Sequence, residues 1–168
     1  FKTEIPMEKE KNEEIKFVLL NDENKLSLAI NTIPRDAIVA FDTETTDIDT
    51  QKAQIVGFSF AYEDNIAYYV PISHYYLGAP EQISKNAAKQ AIIQLNRHKL
   101  VLQNFKYDYE IIKNNFDLEL KLYADTMILS WLLDTNEKVG LDYQIDKYFD
   151  HKMISFKDVV KKGENFSN

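Results

Sequence analysis

Ile38-Val39-Ala40-Phe41 runs without a break into Asp42-Thr43-Glu44-Thr45, and this stretch constrains the chain more than any other. Four apolar residues rich in β-formers predict a short buried strand. Side chains on a strand alternate between faces, so Asp42 and Glu44 point the same way. Two carboxylates side by side at the exit of a buried strand repel each other unless something neutralises them. Hard divalent ions such as Mg2+ or Mn2+, which prefer oxygen ligands, would do so. A polar strand exit, with Thr and Asp supplying turn chemistry, is the other reading of the same residues.

The rest of the chain supplies elements around that strand. Phe17-Val18-Leu19-Leu20 predicts a strand, and Asn21 or Asp22 could cap a helix carrying Leu26, Leu28, Ala29 and Ile33, ended by Pro34. Residues 55–62 and 66–71 predict two strands joined by Glu63-Asp64-Asn65, so the first three central strands should run antiparallel. A loop over 72–80 precedes a helix from about Ile83 to Leu95, then a short strand at Leu100-Val101-Leu102. Helical patterns follow at about 106–115, 124–133 and 141–149, the second with Trp131, Ile128, Leu132 and Leu133 expected in the core. Strands followed by alternating strands and helices predict a mixed sheet covered by helices, an α/β or α+β domain.

With 168 residues, 45% apolar and 28% charged, this is the composition of an ordinary globular domain. No apolar run approaches a membrane span, and the start shows no signal-peptide pattern. The absence of cysteine removes disulfides, thiolate zinc sites and cysteine nucleophiles. A net charge of −7 argues against a non-specific nucleic-acid clamp, but not against an enzyme in which bound metal meets phosphate. Residues 1–15 read as a charged, flexible arm. Starting at Phe1 and stopping at Asn168, the sequence reads as a piece of something longer.

A third acidic residue, Asp108, falls in the first turns of the predicted helix after Leu102. Asn104, Ile111 and Ile112 share its helix face, which is apolar below and carries the Asp at its upper edge. An Asp near a helix N-terminus is often only a dipole-stabilised surface residue. A functional role requires the helix to bring it to Asp42 and Glu44.

Phe41-Asp42-Thr43-Glu44-Thr45 and Gln103-Asn104-Phe105-Lys106-Tyr107-Asp108 together resemble the first two motifs of the proofreading 3′–5′ exonuclease domain of bacterial DNA polymerase I. That domain belongs to the DEDD exonuclease superfamily. The stretches 55–61, 69–80, Ala124-Asp125-Thr126-Met127 and 151–156 are similar as well, so the likeness runs from about residue 16 to the end. It implies an α/β, ribonuclease-H-like fold, a mixed β-sheet flanked by α-helices. It further implies a site for two divalent metal ions, Mg2+ or Mn2+. Asp42 would be shared by both ions, Glu44 would hold the tighter one, and Asp108 would serve the second. By the same resemblance Thr43, Ile48, Gln103, Asn104, Tyr107 and Phe156 would contact a single-stranded DNA 3′ end, with Ile48 wedged against the terminal base. Apolar and aromatic contacts suit a site that must accept every base. The implied partner is a polymerase domain of the same parent chain, without a membrane, in the bacterial cytoplasm.

The family also has a late Tyr-x-x-x-Asp step, whose Asp is the fourth metal ligand, placed after the position matching Phe156. This sequence holds no such step there, so the domain is expected to be truncated before the third motif. Two alternatives follow: a catalytically incomplete module that binds 3′ ends or supports a polymerase, and an exoribonuclease of the same superfamily. His74, His98 and His151 show no ligand spacing, and the four glycines form no phosphate loop.

Overall fold

A computed structural model describes residues 15–154. Among these, six strands and five helices alternate: β1 (Lys16–Leu19), α1 (Glu23–Asn31), β2 (Ile38–Thr45), β3 (Ile55–Glu63), β4 (Ile66–Pro71), α2 (Lys85–Leu95), β5 (Lys99–Leu102), α3 (Phe105–Phe116), β6 (Leu122–Asp125), α4 (Thr126–Leu133) and α5 (Leu141–Phe149). The expected N-terminal arm, apart from Ile15, and Phe156 lie outside the described residues.

The strands form one mixed sheet in the order β1-β4-β3-β2-β5-β6. As the sequence predicts, β2-β3 and β3-β4 are antiparallel, while β1-β4, β2-β5 and β5-β6 are parallel. β2 is therefore central, and it extends through both of its carboxylates rather than stopping before them.

Register follows from the apolar side of the sheet. Phe41 pairs with Phe60, and Phe58 pairs with both Thr43 and Val70. Val39, Phe41, Phe58, Phe60, Val70, Leu100 and Leu102 are buried against Leu26 and Ile30 of α1, Ile92 and Leu95 of α2, and Ile111 and Ile112 of α3. Each such side chain contributes about 1.5–3 kcal/mol by burial. A one-residue slip of β2 would turn Phe41 outward and Asp42 inward. The hydrophobic core thus holds Asp42 and Glu44 on the opposite side.

Asp22 caps α1 by accepting from the Lys25 N–H at 2.9 Å, and Ser84 caps α2. Two expectations need correction. The helix placed at 124–133 begins two residues later, because Leu122–Asp125 pairs with β5 as an edge strand. The other concerns Trp131, expected in the core but 53% exposed, as are Ile128, Leu132 and Leu133 to similar or greater degree. α4 is apolar on nearly every side, and no described residue covers its outer face, so periodicity alone could not separate a buried side from an open one.

Candidate active site

Asp42 and Glu44 sit on β2, on the side of the sheet away from the buried phenylalanines. Thr43, between them, faces the other way and is buried. Its backbone N–H and its hydroxyl both donate to Oδ1 of Asp108, at 3.0 and 2.6 Å. Asp108 is only 2% exposed. Helix α3 therefore delivers its carboxylate to the middle residue of the acidic strand exit. Both bonds fall on one oxygen, which leaves Oδ2 for a cation.

The three carboxylates act on one another. Burial raises Asp108 from 3.8 to about 7, helped by the charge of Asp42 and opposed by the Thr43 hydrogen bonds. Glu44 rises from 4.5 to about 7 through burial and then through the charges of Asp42 and Asp108. Asp42, though open to solvent on one side, is raised to about 6 by the protein packed around it. Among the described residues no Lys or Arg forms an ion pair with any of the three. An oxygen-only, uncompensated donor set of this kind fits a hard divalent ion. As they stand, no three acidic or histidine side chains among the described residues converge closely enough to form a finished metal cluster. Clefts beside α5 and between α1 and α2 contain none of the three.

A pH dependence follows. The folded carboxylates hold protons that the unfolded chain has already released, so folding binds protons between about pH 4 and 7. Metal-free stability is therefore highest below that window and falls as pH rises through it. Asp108→Asn removes one charge while keeping an oxygen for Thr43. At pH 8 without metal, urea unfolding should show the variant roughly 2–4 kcal/mol more stable than the wild type. At pH 4 the difference should shrink towards zero.

Residues 17–167 match the 3′–5′ exonuclease family. The chain belongs to that family. DNA polymerase I of Borreliella burgdorferi is 35% identical to it over 158 residues, covering 93% of this chain and 17% of the relative. DNA polymerase I of Pseudomonas aeruginosa is 37% identical over 156 residues, covering 89% of this chain and 17% of the relative. The chain thus spans 17% of the length of each of these relatives. Among solved structures, Escherichia coli RNase D, an exoribonuclease involved in structured RNA processing, superimposes with TM-score 0.67 at 13% identity, over 92% of this chain and 38% of that one. Brucella melitensis NrnC bound to pGG does so with TM-score 0.64 at 17% identity, over 92% of this chain and 67% of that one. These likenesses are of fold, and the mixed sheet with flanking helices is that of ribonuclease-H-like exonucleases.

The other positions singled out in the exonuclease-like motifs are dispersed in environment. Ile48 is 89% exposed on the loop after β2, which removes core packing as its role. Tyr107 lies half-buried on α3, and its hydroxyl meets Thr45 Oγ1 at 2.5 Å and the Asp47 carbonyl at 2.8 Å, tying down that loop. Thr43, expected against nucleic acid, has its side chain buried, with its hydroxyl given to Asp108. Gln103 is engaged through both ends of its amide, donating to the Val139 carbonyl and accepting from Thr126. Asn104 adopts a left-handed conformation, φ 64°, immediately before α3.

That conformation has a partner in Asp125, a residue of the Ala124–Met127 stretch to which the resemblance gave no role. Asp125, 5% exposed, accepts from the backbone N–H groups of Asn104 and Phe105 at 3.2 and 2.9 Å. It also caps α4 through Met127 and Ile128. The available signal was an Asp directly before an apolar helical run, the usual helix-start pattern.

Proposed function

We propose that this chain is a metal-dependent exonuclease domain that hydrolyses the 3′-terminal phosphodiester of single-stranded DNA, releasing 5′-nucleotides beside a polymerase of the same parent chain in the bacterial cytoplasm. The observation that supports the reading is that Asp42, Glu44 and Asp108 raise one another's proton affinity while no Lys or Arg among the described residues pairs with them. Asp42 and Glu44 would hold divalent ions from the strand and Asp108 from the helix. Two such ions, when bound, supply an activated water and stabilise the departing 3′ oxygen. The protein's own work is positioning, since phosphoryl chemistry asks little covalent help of it. Thr43 fixes Asp108. Tyr107 holds the loop that presents Ile48, whose exposed apolar side chain suits contact with a terminal base of any identity. Asn104 and Gln103, at the start of α3, border the same approach.

The test is digestion of a 5′-labelled single strand in Mg2+ or Mn2+, with this chain and with one extended through a Tyr-x-x-x-Asp step. Stepwise shortening from the 3′ end, abolished by EDTA and by a 3′ block and fastest for the extended chain, is expected. Cleavage from the 5′ end, or none by either chain, would contradict the reading. An RNA strand of the same sequence should be cut more slowly than DNA, and the reverse order would place the activity among exoribonucleases.

A further inference from the structure

On the ladder, Asp42 pairs with Ser59 and Ser59 pairs with Tyr69, while Glu44 pairs with Gly57. Directly paired residues of antiparallel strands share a face, so Tyr69 stands on the side that carries Asp42 and Glu44. Its phenol leans diagonally over Gly57: a Cβ there would lie 2.2 Å from the Tyr69 hydroxyl oxygen and 2.6 Å from ring carbon Cζ. The missing side chain opposite Glu44 is thus the space that the phenol fills.

Behind the phenol stands His74, whose Nε2 lies 2.7 Å from the Tyr69 oxygen. The His74 backbone is clamped by Gln82, which accepts from its N–H at 2.6 Å and donates to its carbonyl at 2.9 Å. The edge of Tyr76 closes the other side of the imidazole, with ring centroids 5.5 Å apart. A loop histidine without metal-ligand spacing therefore has a fixed place in the fold.

We propose that Tyr69, braced by His74, is a positioning residue for Glu44. The phenol lying across Gly57 limits the rotamers open to that carboxylate. In the tautomer whose Nε2–H donates to the phenolic oxygen from behind, the hydroxyl hydrogen is free to point to Glu44. The inference rests on Glu44 being a metal ligand. Partners of this kind orient a ligand before the ion arrives, and losing one weakens metal binding about 10–100-fold.

The experiment is Mn2+ titration of the metal-free chain, followed by the paramagnetic resonance of free Mn2+, with thermal unfolding measured in parallel. Tyr69→Phe keeps the ring over Gly57 and loses only the hydroxyl. It should bind Mn2+ about 10-fold more weakly at an unchanged unfolding midpoint. His74→Ala should weaken binding likewise, and His74→Gln, which keeps a side-chain N–H donor, should restore much of it. If Tyr69→Phe binds Mn2+ as the wild type does, the positioning role is overturned while the exonuclease reading stands. Weakening matched by a fall in the unfolding midpoint overturns it in favour of a packing role. If Glu44→Gln and Asp42→Asn both bind Mn2+ like the wild type, the carboxylates are not the metal site and both readings fall.

Discussion

Asp42→Ala is expected to lower 3′-end hydrolysis by roughly 10²–10³-fold, the loss that follows removal of one charge-stabilising group from a preorganised site. Of the three carboxylates, Asp42 is the one whose charge raises both of the others, Glu44 and Asp108. It lies on the central strand, between β3 and β5, where the ladder on both sides holds the backbone. Alanine fits that strand, and removing the acid relieves repulsion on Glu44 and Asp108. The metal-free variant should therefore unfold at the same temperature as the wild type or higher, even as it stops cutting. Rates on a single strand and calorimetric midpoints, measured on the same samples, check both halves. A loss of activity that tracks a loss of fold would contradict the assignment.

The largest loss of stability is expected at Asp125. Its two carboxylate oxygens take four backbone N–H groups, from Asn104 and Phe105 before and within α3 and from Met127 and Ile128 of α4. The positive ends of two helices meet on one buried anion. Asp125→Ala orphans these donors where water reaches them poorly, costing roughly 3–5 kcal/mol in urea unfolding. Asp125→Asn keeps an acceptor but loses the charge, and about half of the stability should return. The effect extends to function because α3 carries Tyr107 and Asp108, so Asp125→Asn should also weaken nuclease activity more than its stability loss explains.

Much of this was legible in the sequence. The pairing of Asp42 with Glu44 followed from strand alternation, and the hairpin of β3 and β4 from its turn residues, because both are local rules. The placement of Asp108 beside them was not local. It depends on the packing of α3 that brings Asp108 to the inward hydroxyl of Thr43, which strand periodicity cannot supply. β6 escaped because four residues at a sheet edge carry little pattern. Trp131 was misplaced because an apolar helix reads as core whichever side is covered. Tyr69 escaped because its role is set by a glycine on the neighbouring strand, a relation visible only once the register is known.

The central claim is that Asp42, Glu44 and Asp108 together hold divalent metal. The most direct measurement is anomalous diffraction from crystals soaked in Mn2+. Peaks within coordination distance of the Asp42 and Glu44 carboxylates, one of them also touching Oδ2 of Asp108, are predicted. Peaks confined to other acidic clusters, with these three carboxylates empty at saturating Mn2+, would contradict it.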